Sequence, residues 1–322
     1  MLSSKFGVEI EFTGITRNKA SSIVAHALNG TVEQLHDYYD TYQVKAPDGR
    51  KWKIMSDSSI QCQKAYGGQK VNATRIYSCE LVTPILTYRE DIDVLQNIIR
   101  LLRKAGGSTN ASCGIHIHLD GAPHDRRSII NFINIIASRN DLFYKALQIK
   151  STRARFCKKM DKALVEKINL HTPQTMEALE DLWYAGYGGS RETHYHQSRY
   201  HFLNLHSFFN GNHTVELRGF NSELHAGKVR AYIVFALALN HQALTQKHAR
   251  YKHVQEENEK FAMRVYLNRI GFIGEEYKAC RAHLYEHLSG NAVWRYGSKD
   301  QCRSHRSKPE TPTETEGGAE NA

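Results

Sequence analysis

Residues 6–12 read Phe6-Gly7-Val8-Glu9-Ile10-Glu11-Phe12. Phe6, Val8, Ile10 and Phe12 alternate with Gly7, Glu9 and Glu11. Alternate side chains of a pleated strand point to opposite faces. The stretch therefore predicts a β-strand with one apolar and one acidic face. Two later stretches repeat the pattern. In Cys113-Gly114-Ile115-His116-Ile117-His118-Leu119 the imidazoles alternate with isoleucines. In Thr214-Val215-Glu216-Leu217-Arg218 an acid and a guanidinium alternate with Val215 and Leu217. Residues i and i+2 of a strand share a face, about 6.5–7 Å apart. Three strands thus offer one apolar face to a core and gather Glu, His and Arg on the other. Taken singly, each pair is also what the wet side of a half-solvated antiparallel sheet would carry. Taken together they are harder to dismiss, because carboxylates held close repel unless a cation lies between them.

Working outward, further strands are expected at Thr31–His36, Tyr42–Ala46, Lys51–Ser56, Ile76–Thr83 and Arg199–Leu205, with Asp48-Gly49 as a hairpin turn. Apolar residues at helical spacing predict helices over 16–28, 91–104, 125–147 and 225–247. Shorter helices are expected over 160–168, 174–183, 255–269 and 274–288. The polar, aromatic segment 150–196 is the longest loop-rich stretch, and such segments often shape a substrate site. Hairpin-linked strands interrupted by helices of unequal length indicate an α+β fold on an antiparallel sheet. Neither a G-x-G-x-x-G loop nor a Walker loop occurs.

Two further acids extend the polar face. Asp57 follows a strand in Ser56-Asp57-Ser58-Ser59, and Glu80 lies within one in Cys79-Glu80-Leu81-Val82-Thr83-Pro84. Carboxylate oxygens suit Mg²⁺ or Mn²⁺, and imidazole nitrogen joins them more readily on Mn²⁺. Arg218, two residues after Glu216, suits a phosphate held beside such an ion. Arg199 and Asn204, on the strand expected before it, could reach the same place. Metal-binding acids and cationic phosphate binders on one face describe a phosphoryl-transfer site.

The chain has 322 residues, 41% hydrophobic and 24% charged, the balance of a globular enzyme. No apolar run reaches the roughly 20 residues of a membrane span, and no apolar leader precedes Lys5. The six cysteines form no C-x-x-C pair, which points to reduced thiols and a cytoplasmic setting. The net charge of +10 admits an anionic partner, nucleic acid included. Its densest cluster is Arg153, Arg155, Lys158, Lys159 and Lys162.

The order G-x-E-x-E, D-S-S, E-L-V-T-P, G-x-H-x-H, R-x(4)-N and T-x-E-x-R resembles the amidoligase family. That family belongs to the carboxylate–amine ligase superfamily, with glutamine synthetase and glutamate–cysteine ligase. Here the motifs fall at residues 7–11, 57–59, 80–84, 114–118, 199–204 and 214–218. The resemblance covers about residues 5–245. It implies a curved antiparallel sheet forming a partial barrel with a glutamine-synthetase-like catalytic fold, helices on its outer face, and metals and ATP phosphates on its concave face. It implies that Glu9, His116 and Glu216 share one metal, and that Glu11 and Glu80, with Asp57, hold others. His118 would touch ATP phosphate, and Arg218 and Arg199 would stabilise the phosphoryl group. The implied activity is ATP-dependent amide-bond formation through an acyl-phosphate, with ATP and Mg²⁺ or Mn²⁺, on an amino-acid, peptide or protein substrate.

The resemblance weakens in the regions where glutamine synthetase and glutamate–cysteine ligase hold their amino acids. Segment 150–196, with Arg153, Arg155, Tyr184, Tyr187, Arg191 and Tyr195, is expected to shape the acceptor site. The expected organisation is a catalytic domain over 1–250, a helical extension over 251–302 and a disordered tail over 303–322. Two rival readings are a zinc hydrolase built on the H-x-H strand and a basic module that binds nucleic acid or another partner. The first leaves Glu9, Glu11 and Arg218 idle, and the second explains the charge alone.

Overall fold

A computed structural model describes residues 1–253 and 257–306. Ten strands are present among the described residues: β1 (Phe6–Phe12), β2 (Thr31–Gln34), β3 (Tyr42–Lys45), β4 (Lys51–Met55), β5 (Gln63–Tyr66), β6 (Gln69–Asn72), β7 (Cys79–Val82), β8 (Gly114–Asp120), β9 (Leu203–Asn204) and β10 (Thr214–Asn221). Eight form one sheet in the order β2-β3-β4-β7-β1-β8-β10-β9, and β5 and β6 form a separate ribbon. Every pairing between strands is antiparallel. The class is α+β. The sheet ends at β2 on one side and β9 on the other and is not closed into a barrel.

The helices are α1 (Arg17–Leu28), α2 (Tyr88–Lys104), α3 (Arg126–Ser138), α4 (Asn140–Ala146), α5 (Ser151–Ala154), α6 (Lys162–His171), α7 (Met176–Tyr184), α8 (His206–Asn210), α9 (Ala226–Thr245), α10 (Glu259–Arg269), α11 (Lys278–Tyr285) and α12 (Lys299–Arg306). Their ends follow local chemistry. Thr16 caps α1 by accepting from Lys19 N–H, and Asn29 closes it in the left-handed region. Asp125 and Ser128 form a capping box on α3. Along α2, Ile92, Leu95, Ile98, Ile99 and Leu102 are buried on one stripe. Helix α9 is buried on nearly every side, because it packs on β8 and touches α2, α3 and α11.

The apolar face of the sheet lies in the core. Val8, Ile10, Ile54, Leu81, Ile115, Ile117 and Leu217 are buried in one continuous cluster with the helices. At about 25 cal/mol per Å², each such side chain contributes roughly 1.5–3 kcal/mol. This anchors the register and so fixes which side chains face the other way.

Several expected elements differ. The helix expected over 125–147 breaks at Arg139 (φ −125°, ψ 18°) into α3 and α4. Residues 75–77 form a 3₁₀ turn, so the strand expected from Ile76 begins only at Cys79. Arg199 also lies in a 3₁₀ turn, Gln197–Arg199, and the strand expected over 199–205 shrinks to β9. The ribbon β5–β6 turns at Gly67 and Gly68, both at positive φ. A helix, α12, spans the point where the tail was expected to begin, and residues 307–322 lie outside the described residues. No helix among the described residues is long and apolar enough to cross a membrane.

Candidate active site

Antiparallel register turns the i, i+2 pairs into rows. Glu11 stands opposite Glu80, Glu9 opposite His116, and His118 opposite Glu216. Asn204 stands opposite Glu216 on the far side. Strand β1 lies at the centre, so its two acids meet partners on both flanks.

The contacts are close. Glu9 sits between the imidazoles, with its Oε2 3.0 Å from His116 Nδ1 and its Oε1 3.2 Å from His118 Nε2. The second pair is not aligned as a hydrogen bond, and His118 Nε2 is buried with no hydrogen-bond partner. His116 Nδ1 also lies 3.9 Å from Glu216 Oε1, and His116 Nε2 lies 4.0 Å from Glu11 Oε1. Glu11 Oε2 accepts the Gly114 N–H at 2.6 Å. Glu216 accepts from Asn204 Nδ2 at 2.6 Å and from Arg218 Nη1. Asp57 stands in the turn after β4, where its own carboxylate accepts the Ser59 N–H.

Three sets of ligand atoms lie within 4.8 Å of one another: Glu9–His118–Glu216, Glu9–Glu80–His116 and Glu11–Asp57–Glu80. All six residues named as metal ligands from sequence are therefore brought together, and His118 joins them. The set that holds both Glu9 and Glu216 is completed by His118, whereas His116, whose Nδ1 lies 3.9 Å from Glu216 Oε1, shares its set with Glu9 and Glu80. Glu80 is buried and accepts no hydrogen bond from the described residues. An ionised carboxylate left so is costly unless a cation compensates it. Unaligned His118 Nε2 and undonated Glu80 both fit groups that bind an ion.

The electrostatics agree. Burial pushes the Glu80 carboxyl up, and Glu9, Glu11 and Asp57 push it further, well above the carboxylate range. Burial and Asp57 raise Glu11 to about 7 against Arg153 and the Gly114 N–H. Burial alone would raise Glu9, but His118 and His116 hold it well below the ordinary value. Burial opposes the charge on Glu216 too, yet Arg218, His118 and His116 bring it to about 2. His116 is lowered to about 4 by burial and Arg218. His118 rises to about 9, because Glu9 and Glu216 outweigh its burial. The face thus divides into an ion-paired half around Glu9 and Glu216 and a half of uncompensated acids around Glu11 and Glu80.

The acid half floors a cavity of about 840 Å³, walled by Tyr38, Tyr39, Phe156, Tyr195, Arg199 and Tyr200. Tyr39 and Tyr195 face one another across it, hydroxyls 3.4 Å apart. A second cavity, about 530 Å³, opens over Gly7 at the other end of the face and shares Glu9 with the first.

The remaining expected residues divide. Arg218 is buried, and its Nε donates to Phe156 O at 3.4 Å. Arg199 lines the large cavity, stacks over Tyr195 and Tyr200, and keeps a buried Nε with no partner. Asn204 is committed at both ends, to Glu216 and to the His206 N–H, so it orients the acid. From segment 150–196, Arg153 and Tyr195 line the cavity. Arg155 is exposed and stacks on Phe156. Tyr184, Tyr187 and Arg191 lie elsewhere: Tyr184 bonds His206, Tyr187 bonds His201, and Arg191 pairs with Asp181. Tyr38, Tyr39 and Arg75 were not found from sequence, since nothing local links those loops to the sheet.

A family model described as "Putative amidoligase enzyme" matches residues 2–240 of the chain. That span holds every strand of the large sheet and all the side chains above. No curated protein matches the chain.

Proposed function

The chain belongs to the putative amidoligase enzyme family, and from that premise we propose that it is an ATP-dependent carboxylate–amine ligase acting on an amino-acid, peptide or protein substrate. The observation that carries this reading is the set of three overlapping ligand trios beside Arg218 on one face of the sheet. The trio Glu11–Asp57–Glu80 is all oxygen, which suits a hard ion such as Mg²⁺ or Mn²⁺ and not zinc. Glu9, His118 and Glu216, with His116 alongside, would hold a second ion. Bound there, such ions would neutralise the phosphate oxygens of ATP.

The chain's own residues then have defined tasks. Arg218 is fixed by Glu216 and Phe156 O, and its Nη2 has no partner among the described residues. It is thereby preorganised to stabilise a transferring phosphoryl group. Arg199, on the cavity wall, can meet the same group or the substrate carboxylate. The substrate carboxylate attacks the γ-phosphorus, the bond to the β-phosphate oxygen breaks, and ADP leaves. An amine then attacks the acyl carbon, and phosphate departs with the proton. The aromatic and cationic wall supports a carboxylate-bearing amino acid or peptide in the large cavity. We read the sheet as related to the catalytic sheet of glutamine synthetase, within a catalytic unit over 1–250 that works in the cytoplasm, followed by a helical extension over 251–302.

The test is a thermal-shift titration with ATP and Mg²⁺, followed by mass spectrometry of carboxylate–amine mixtures. A metal-dependent nucleotide shift that Glu9→Ala abolishes, with a condensed product, supports the ligase. Stoichiometric zinc with no nucleotide response would replace it with a hydrolase built on His116, His118 and a carboxylate.

A further inference from the structure

Strand β10 does not run smoothly against β8. Leu217 pairs with Ile117, but Phe220 pairs with Ile115, so Arg218 and Gly219 together oppose one residue, His116. This is a β-bulge, which re-aims a side chain and interrupts the ladder. Here it keeps Arg218 on the polar face while returning Phe220 to the core. Gly219 is needed because a Cβ there would lie 2.0 Å from the Phe202 ring.

One side chain fills the interruption. Arg153, on α5, is 3% exposed. Its Nη1 donates to Phe220 O at 2.5 Å and its Nη2 to Arg218 O at 3.1 Å. The same guanidinium lies flat on Gly114, where a Cβ would come within 2.2 Å of Nη2. Gly114 is the residue whose N–H holds Glu11. The exchange is reciprocal, since Arg218 Nε donates back to Phe156 O, three residues beyond Arg153. Helix α5 is itself tied to the turn before β8, Thr152 Oγ1 donating to Ala111 O at 2.9 Å. Asn221 Nδ2 adds a bond to Gln148 O at 2.7 Å, just ahead of α5. Arg153 forms no ion pair with an acid among the described residues, although a buried guanidinium ordinarily needs one.

We propose that Arg153 is a positioning residue, whose guanidinium locks the β10 bulge so that Arg218 is aimed at the phosphoryl site. The proposal rests on the ligase reading. A fork that bridges two carbonyls fixes both distance and angle, which an ammonium cannot do. Loosening it displaces Arg218 while leaving every proposed metal ligand in the chain. Because Arg153 is a fixed positive charge beside acids, its removal favours a divalent cation there. Turnover and metal affinity should then move in opposite directions, whereas simple loss of structure lowers both.

The experiment compares wild type, Arg153→Met, Arg153→Lys and Gly114→Ala, the last displacing the guanidinium without deleting it. ATP turnover is measured with Mg²⁺, hydroxylamine as amine, and the twenty amino acids, a tryptic peptide digest and folded protein as carboxylates. Mn²⁺ affinity is measured without nucleotide, and amide hydrogen exchange is followed over residues 217–221. The expected result is a loss of turnover of about 100-fold in Arg153→Met and Gly114→Ala, the scale of a misplacement of about 1 Å. Arg153→Lys restores little of it. Mn²⁺ binding in Arg153→Met is equal or tighter, exchange over β10 is faster, and free guanidinium ion recovers part of the turnover. Wild-type protein that turns over no ATP overturns the ligase reading and this proposal with it. Wild-type turnover that Arg153→Met leaves within threefold, or a parallel fall in turnover and Mn²⁺ affinity, overturns this proposal alone.

Discussion

Replacing Glu11 by glutamine should make the metal-free protein more stable at alkaline pH. Glu11 is 4% exposed, and burial with the neighbouring Asp57 raises its carboxyl from 4.5 to about 7. A raised folded-state value favours the neutral acid in the fold. Its contribution is fully present below pH 4.5 and is lost as pH rises through 7. At about 1.4 kcal/mol per pH unit the full loss is about 3 kcal/mol, of which about 2.5 kcal/mol falls between pH 5 and pH 8. Glutamine keeps the shape, and its amide oxygen can still accept the Gly114 N–H at the position of Oε2. Other groups titrate over the same range, so the informative quantity is a difference. His116, for example, is lowered to about 4, and its contribution, present above about pH 6.5, is lost as pH falls. Urea denaturation of wild type and Glu11→Gln, both in chelator, gives unfolding free energies at pH 5 and pH 8. The variant should gain about 2.5 kcal/mol on wild type between the two, roughly 5 °C in Tm. Added Mn²⁺ should shrink the gap by stabilising the ionised wild-type carboxylate. Parallel pH curves for the two proteins, within about 0.5 kcal/mol, would refute the view that Glu11 is a strained buried acid.

Mg²⁺ or Mn²⁺ alone should stabilise the wild-type protein, by about 2.7 kcal/mol at a hundredfold excess over Kd, and Glu80→Gln should lose most of this in a thermal-shift titration. Glu216→Ala leaves the buried Arg218 unpaired and should cost about 3–5 kcal/mol. The double variant Glu216→Ala, Arg218→Met should recover much of that in chemical denaturation. Gly219→Ala drives a methyl into the Phe202 ring and should cost about 1–3 kcal/mol, partly relieved by Phe202→Leu.

The polar face could be read from sequence because alternation in β1, β8 and β10 is strict and each pair shares a face whatever its neighbours are. Asp57 and Glu80 entered through their places at the end of one expected strand and inside another. The register could not be read, so the grouping of acids into trios, and His118 as a member, came only with the structure. The β10 bulge was hidden because Phe220 is a natural end to a strand and reveals itself as displaced only against Ile115. Arg199 was expected at the start of a strand over 199–205, yet it stands in a 3₁₀ turn held by the side chains of His196 and Ser198. Arg153 was expected at the acceptor site, and its packing against β8 left one trace, the glycine opening G-x-H-x-H. A glycine inside a strand often marks close approach by another group, but sequence does not say which. Tyr184, Tyr187 and Arg191 were drawn to the site by composition, and composition does not distinguish a cavity wall from a packed phenol–imidazole cluster behind it.

The central position of β1 has a consequence for the chain before it folds. Glu9 and Glu11 meet their β8 partners across 107 and 103 residues. Within this sheet, β1 comes first in chain order yet is among the last to be flanked on both sides. Pairings that distant form slowly, and Phe6-Gly7-Val8-Glu9-Ile10-Glu11-Phe12, a segment of high strand propensity, waits for its β8 partners until residues 114–120 have been made. Two such segments from neighbouring chains, aligned in register, would bring like charges opposite each other. The carboxylates that later floor the site thus act first as gatekeepers against intermolecular pairing. Neutralising both would remove the proposed catalytic floor and also the protection of the nascent chain, so loss of soluble yield should accompany loss of activity.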